Sequence, residues 1–347
     1  MALKLTRLVA PASFIAAILV LHVVPTIVCL ANSTLQDSSK LDAWIAQNMK
    51  EYDEASRRTV SDNALLMALS SIKEKIIRVS KDGSGDFQTV TDAVNSIPSG
   101  NTERVIIWIG GGEYKEKVII DKSRPFVTLY GEPDNMPIIS YADTAKKYGT
   151  WNSATVAVMS ANFMAVNIVF VNSAPKPDPS KSDGQAVALR ISGDKSLSQL
   201  QDCYIEGTVD FIFGNGKSVY MNTAIKSVAR SLGVITAQAV GGDTNSGFIF
   251  IHCNITGSGD MYLGRAWKET SRVVFAYTYM GPLINKTGWM RGALQKSVYY
   301  GEYQCTGPGS SSTGRKYSKI LSDAEVKPFL STTFIQGNEW LLPVPKL

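Results

Sequence analysis

Histidine is nearly absent. The 347-residue chain has two, His22 and His252, so a zinc site built on several histidines is excluded, and no Cys-x-x-Cys pair compensates. No Gly-x-Ser-x-Gly elbow occurs, and a Ser-His-Asp triad would have to use His252. His252 lies in the run Gly247-Phe-Ile-Phe-Ile-His-Cys-Asn-Ile and reads as a strand residue packed or hydrogen-bonded locally. Acid-base chemistry must therefore rest mainly on carboxylates. No basic cluster with interleaved aromatics is present, which argues against nucleic acid as a partner. Beyond the N-terminus no apolar run is long enough to cross a bilayer.

What is present begins with a leader. Lys4 and Arg7 precede an almost wholly apolar stretch from Phe14 to Leu30, and Cys29-Leu30-Ala31 offers small residues for cleavage. Residues 1–31 read as a secretory signal peptide, with an uncleaved anchor as the other reading. Removing them takes two positive charges, so the formal charge falls from +5 to +3. That is a mild surplus suited to an acidic partner. Three cysteines remain, Cys203, Cys253 and Cys305. An odd number in an oxidising compartment leaves at least one thiol free or paired outside the chain, unless all three are buried and inert. Sequons stand at Asn32, Asn254 and Asn285.

Residues 32–75 read as a short amphipathic helical cap, with Leu41, Trp44, Ile45 and Met49 on one face. From Ile76 to the C-terminus the texture is short β-branched runs punctuated by Gly, Asn, Asp and Ser, without a long helical pattern before Ser322. That is an all-β domain over 76–347 with a C-terminal helix and loops. Four segments resemble one another: Asp202-Cys-Tyr-Ile205, Met221-Asn-Thr-Ala-Ile225, His252-Cys-Asn-Ile255 and Ala276-Tyr-Thr-Tyr-Met280. Their last residues are 20, 30 and 25 positions apart, and Ala165-Val-Asn-Ile168 precedes them. A period in the twenties marks a solenoid, here a parallel β-helix, because the leucine ladder of a leucine-rich repeat is missing. Rungs stack roughly 4.8 Å apart, so side chains about one rung apart in sequence become neighbours.

The densest chemistry is Gly207-Thr-Val-Asp-Phe-Ile-Phe-Gly-Asn215, in which Asp210 sits inside an apolar strand. A carboxylate there needs a partner. Tyr262-Leu-Gly-Arg-Ala-Trp267 offers Arg265, suited to bidentate pairing, and Trp267, suited to lying against a sugar ring. Gly184-Gln-Ala-Val-Ala-Leu-Arg190 buries a glutamine, Gln185, among apolar residues.

Together with Asp82-Gly-Ser-Gly-Asp-Phe, Gly112-Glu-Tyr-Lys-Glu116, Thr150-Trp-Asn-Ser-Ala-Thr155, Ile235-Thr-Ala-Gln238, Tyr300-Gly-Glu-Tyr and Gly307-Pro-Gly, these strings resemble the plant pectin methylesterases. More narrowly, they resemble the group without an inhibitor-like pro-region, since residues 32–75 cannot hold its four helices. The resemblance runs from about Val79 to Trp340-Leu-Leu-Pro. It implies a right-handed parallel β-helix, a secreted cell-wall protein, no cofactor or metal, and a monomer without stable membrane association after leader removal. It also implies methyl-esterified homogalacturonan as substrate and a proteinaceous inhibitor as a further partner. In the family one ionised Asp attacks the ester carbonyl and a second, protonated Asp gives its proton to methanol. Carried across, Asp210 matches the nucleophile, Arg265 the arginine that holds it ionised and contacts substrate, and Gln185 an oxyanion and substrate glutamine. Thr150 and Trp267 match substrate-binding positions. Ala266 stands where the family usually has Pro.

One departure is large. Between Gly193-Asp-Lys195 and Asp202-Cys-Tyr-Ile-Glu-Gly207 the family carries a further run, with a Gln-Asp-Thr-Leu motif that holds the general acid and a second oxyanion glutamine. Here only Ser196-Leu-Ser-Gln-Leu-Gln201 remains, about one rung short. The repeat shows the same defect by itself. Ile168 to Ile205 spans 37 positions, and the Gln185 run must fit inside that interval. Asp202 is not a substitute, since it lies only eight residues before Asp210 and aligns with the ordinary Asp before Cys-Tyr-Ile. The general acid is therefore unassigned. A non-catalytic pectin-binding relative is the rival expectation. A calcium-dependent lyase and a galacturonase are set aside, because neither the acidic calcium site with its basic abstractor nor flanking paired carboxylates are seen.

Overall fold

A computed structural model describes residues 75–177, 184–193, 196–240 and 245–341. The expectations for residues 1–31 and 32–74 lie outside the described residues. The first strand begins at Lys75, one residue before the expected start of the β domain.

The described chain is built mostly from short strands, and every strand pair is parallel, with one isolated antiparallel bridge between Glu132 and Asn135. One ten-stranded sheet follows the order β1 (Lys75–Val79), β2 (Val105–Ile109), β5 (Val127–Gly131), β8 (Phe163–Val166), β11 (Leu197–Gln201), β14 (Lys217–Met221), β16 (Gly247–Ile251), β18 (Thr270–Ala276), β20 (Ser297–Tyr303) and β21 (Ser318–Ile320). The other strands form two more faces, joined into one sheet because β15 (Ala224–Gln238) and β17 (Asn254–Ala266) are long enough to turn a corner. On one of these faces lie β4 (Val118–Ile120), β7 (Val156–Val158), β10 (Leu189–Ile191), β13 (Val209–Gly214) and the C-terminal ends of β15 and β17. On the other lie β3 (Gly112–Lys115), β6 (Pro137–Tyr141), β9 (Val169–Asn172), β12 (Tyr204–Gly207), the N-terminal ends of β15 and β17, and β19 (Tyr279–Met280). Each turn of chain visits the three faces once, so this is the parallel β-helix expected from the repeat. Helices are short: α1 (Val90–Asn95) and α2 (Ala145–Asn152) early in the fold, α3 (Asp323–Val326) and α4 (Gly337–Trp340) near its end.

Apolar side chains that alternate inward along each strand meet their equivalents on the next rung. One interior column runs Ile77, Ile107, Leu129, Ala165, Leu200, Tyr220, Phe250, Phe275. The aromatic members stack nearly parallel, with centroids 4.4 Å apart for Tyr220–Phe250 and 4.5 Å for Phe250–Phe275. All eight are buried.

The repeated segments seen in the sequence mark one corner, between the ten-stranded sheet and the β12 face. Asn167, Asp202, Asn222, His252, Tyr277 and Gln304 each turn there with φ between 45° and 56°. Asn and Asp tolerate this left-handed conformation better than other non-glycine residues. His252 is therefore a corner residue and not the strand residue expected. Its ring stacks on Tyr277 at 5.1 Å. The backbone ladder at this corner is continuous: Asn167 N donates to Gln201 O, Asp202 N to Met221 O and Asn222 N to Ile251 O.

The residue after each corner points inward and forms a column of its own: Ile168, Cys203, Thr223, Cys253, Thr278, Cys305. All three cysteines are free. A threonine separates each from the next, two rungs or about 9.5 Å apart, beyond the roughly 7 Å that a disulfide spans between Cα atoms. Burial pushes each thiol up to about 12.

Candidate active site

The face carrying β7, β10, β13 and the ends of β15 and β17 brings Asp210 and Arg265 together. Cross-strand register aligns Ala157, Arg190, Phe213, Ala237 and Arg265 in one row. Small residues at Ala157 and Ala237 leave room on either side of the larger ones.

Asp210 enters this face through a bulge. Pairing of β13 with β15 steps from Val209↔Val234 to Ile212↔Thr236, so β13 carries one extra residue there. Asp210 has φ 53° at that point, and Phe211 and Ile212 continue into the core. Bulges of this kind re-aim a side chain. The carboxylate meets Arg265, reaching across β15: Nε donates to Oδ1 at 3.0 Å and Nη2 to Oδ2 at 2.6 Å. The bidentate pair anticipated for Arg265 is thus formed with Asp210. Only 4 % of Asp210 is exposed. Burial pushes its carboxyl above the ordinary carboxylate range, and the charge and hydrogen bonds of Arg265 oppose that push. Among the described residues Arg265 is the charged group acting on Asp210.

Trp267 lies on an aromatic wall. Its ring centroid is 4.4 Å from Phe213 and 5.5 Å from Trp151, whose plane is tilted by only 30° from its own. Trp151 reaches the wall because Gly149, with φ 75°, breaks α2, so that Thr150 and Trp151 start a fresh turn. Arg190 ties down the Trp151 end of the wall. The Arg190 guanidinium packs 4.1 Å from the Trp151 ring, and its Nη1 donates to Trp151 O at 2.6 Å. Burial lowers the Arg190 guanidinium to about 10. Gln185 is half-buried at the start of the β10 segment, and its carbonyl accepts from Ala145 N at 2.8 Å, which joins it to α2. Gln238 is not aimed at the groove. Its Oε1 accepts from Ser271 Oγ and Arg272 N, and its Nε2 donates to Ala239 O.

Among the described residues the family's second aspartate has no counterpart on this face. β10 pairs directly with β13, Leu189↔Ile212 and Arg190↔Phe213, and no strand stands between them. A Cβ at Gly214, where φ is 131°, would lie 2.0 Å from Ile191 O, so the two strands meet too closely for any side chain at that point. Asp210 is the one carboxylate on β7, β10, β13 and the stretches 234–238 and 262–266. Asp202 and His252 sit on the corner across the helix from this face. Asp202 accepts from Gln201 Nε2 at 3.1 Å. Among the described residues no cluster of three or more His, Cys, Asp or Glu could hold a metal, and no helix is long and apolar enough to cross a membrane.

Sequence reasoning missed Trp151, Phe213 and Arg190 as parts of this face. All three were inside strings already singled out, but the contact between Trp151 and Phe213 depends on the break at Gly149 and on the bulge at Asp210, which shifts side-chain alternation along β13. The alternation of β10, with Leu189 and Ile191 inward, was the available signal for Arg190.

Comparison with known proteins bears on the whole chain. The family model described as Pectinesterase matches residues 76–200 and again residues 198–338. The two matches overlap inside β11, within the shortened stretch. A putative pectinesterase 63 of Arabidopsis thaliana is 47% identical over 292 residues, covering 77% of this chain and 86% of the relative. A probable pectinesterase 50 of the same plant is 39% identical over 358 residues, covering 96% and 98%. Among solved structures, pectin methylesterase from carrot superposes with a TM-score of 0.64 at 31% identity, covering 78% of this chain and 97% of the carrot chain. That of Aspergillus niger gives 0.62 at 26%, covering 77% and 96%. The expected right-handed parallel β-helix is the architecture of this chain. By family model, by identity over most of its length and by fold, this chain belongs to the pectinesterase family.

Proposed function

We propose that the groove face receives methyl-esterified homogalacturonan and that Asp210 is the nucleophile of ester hydrolysis. The observation that carries this is the buried Asp210–Arg265 pair beneath the wall of Trp151, Phe213 and Trp267. An Asp210 oxygen attacks the ester carbonyl, charge develops on the carbonyl oxygen near Gln185, and the C–O bond to methoxide breaks. Water then hydrolyses the acyl-enzyme to a free uronate carboxylate. Arg265 favours the charged form of Asp210 against the burial that disfavours it. Thr150 and Trp267 contact the sugar chain. The leader is removed on secretion, the product acts in the cell wall as a monomer, and a proteinaceous inhibitor covers the same groove. Of the sequons, Asn254 is exposed on β17, whereas the Asn285 amide already donates to Asp260, so Asn254 is the better glycan acceptor.

Departing methoxide needs a proton, and among the described residues the strands of this face offer no second carboxylate to give it. Protonation falls to solvent, so this chain is a weak esterase. The test is methanol release from methylated pectin by the purified chain and by Asp210→Asn. A slow release that disappears in the variant supports the assignment, and equal release by both removes Asp210 from the mechanism.

That Asp210 is the one carboxylate among the described residues of these strands also favours a second reading, a pectin-binding relative without turnover. It predicts retention on methylated pectin with no methanol above the Asp210→Asn background.

A further inference from the structure

A second pocket of 410 Å³ lies on the ten-stranded sheet, on a different face from the groove. Its floor is one cross-strand row on β14, β16 and β18: Lys217, Gly247 and Arg272, with Tyr299 of β20 next in line. Gly247 is the notch. A Cβ there would stand 3.0–3.2 Å from three carbons of the Arg272 side chain, so the missing side chain lets the arginine lie across its neighbour towards Lys217. Phe329 and Phe334 form the wall, with Asn245 and Thr333 at the rim.

Both cations are half-buried, and no carboxylate among the described residues pairs with either. Lys217 Nζ lies 4.7 Å over the Phe334 ring. Arg272 Nη1 donates to Asn245 Oδ1 and, at 3.5 Å, to Ser246 O, while its buried Nε lacks a partner. The nearby Glu325 is taken by Lys319 and Ser322. Burial lowers both basic groups, and Arg272 adds to the effect on Lys217. Two cations that no carboxylate among the described residues neutralises, held together at a cost in desolvation, are a site for an anion. The volume is within the range of small-molecule pockets. Aromatic faces beside the charges add an apolar surface, which a small inorganic ion would not use but the C–H face of a sugar would.

We propose that this pocket binds a de-esterified galacturonate unit, its carboxylate between Arg272 and Lys217 and its ring against Phe329 and Phe334. The identity of the sugar rests on the pectin reading of the groove. A methyl ester carries no charge, so this pocket selects polymer from which the ester has been removed, and it holds such polymer on a face separate from Asp210.

The experiment is calorimetric titration of the full chain with trigalacturonate, with its fully methylated ester and with inorganic phosphate, repeated on Lys217→Gln and Arg272→Gln. Chemical shifts of Asn245 and Phe334 in the unmodified chain report on the pocket without any substitution. Expected are trigalacturonate-induced shifts at those residues, at least tenfold weaker pocket binding in each variant, and no pocket response to the methyl ester. Absent shifts, or equal affinity in both variants, would overturn the proposal. So would an equal pocket response to the ester, or a pocket that phosphate fills and trigalacturonate does not displace. Binding of the methyl ester to Trp267→Ala reads the groove separately, so failure of the groove assignment is distinguishable from failure here.

Discussion

The interior of this β-helix and its groove face respond differently to the same short stretch of sequence. Inside, Ala165, Leu200 and Tyr220 follow one another in register across β8, β11 and β14, and the corner ladder from Asn167 to Asn222 continues without a gap. On the groove face, β10 and β13 are direct neighbours, and the carboxylate and glutamine that the family places between such strands have nowhere to stand. A solenoid is stabilised by contacts between adjacent rungs, so omitting one whole rung preserves every kind of contact that holds the fold. A catalytic site assembled from successive rungs has no such tolerance, because each rung contributes a different group.

The comparison is sharpened most by restoring what the groove lacks. Insertion after Lys195 of a rung carrying Gln-Asp-Thr-Leu should raise methanol release by about 100- to 10,000-fold, the typical contribution of a general acid, at equal folded concentration. Unchanged release would show that another carboxylate already supplies the proton. On the interior side, Phe250→Ala removes the middle ring of the aromatic stack and should destabilise the chain by about 3–5 kcal/mol, measured by urea unfolding. A much smaller loss would mean that the column is not what holds the rungs. Next comes pH. Burial raises the folded pKa of Asp210, so esterase rate should fall with decreasing pH from a midpoint above the ordinary carboxylate value. Arg265→Gln should move that midpoint higher still. By linkage, the protonated form of Asp210 favours folding. Its contribution is complete below the unfolded carboxylate pKa and is lost as pH rises through the folded one. The smallest effect is expected at the corner. Asp202→Asn keeps a residue suited to positive φ, so stability should stay within about 0.5 kcal/mol and methanol release should be unaltered. A large loss of activity would reinstate Asp202 as a proton donor.

Much of this was legible in the sequence. The spacing of Ile205, Ile225 and Ile255 exposes the rungs, because each returns an apolar residue to the same inward position, whereas Ile168 stands opposite Cys203 and it is Phe170 that pairs with Ile205. The interval from Ile168 to Ile205 holds one complete rung, β10, β11 and β12, so the missing run there follows from the family resemblance and not from the repeat. Asp210 and Arg265 could be singled out because each is a charge in an apolar strand. What could not be read was conformation at single residues. His252 sits in a β-branched and aromatic run, yet it turns the corner with φ 54°, a position set by the rungs above and below it. The Trp151–Trp267 contact joins positions far apart in the chain through a kink at Gly149, and periodicity has no term for such a contact. The Lys217–Arg272 pocket was equally hidden, since its cations are neighbours only across a third strand.

The alternating column of Cys203, Thr223, Cys253, Thr278 and Cys305 has a consequence for biogenesis. In the folded chain these thiols are too far apart to join one another and too deeply buried to ionise near neutral pH. Any cross-link among them can therefore form only while the rungs are open. A chain oxidised before it coils would be locked out of its own helix, and one that coils first needs no oxidant. In an oxidising compartment, maturation becomes a race between winding and oxidation, and the yield of native protein should rise with reductant present during refolding.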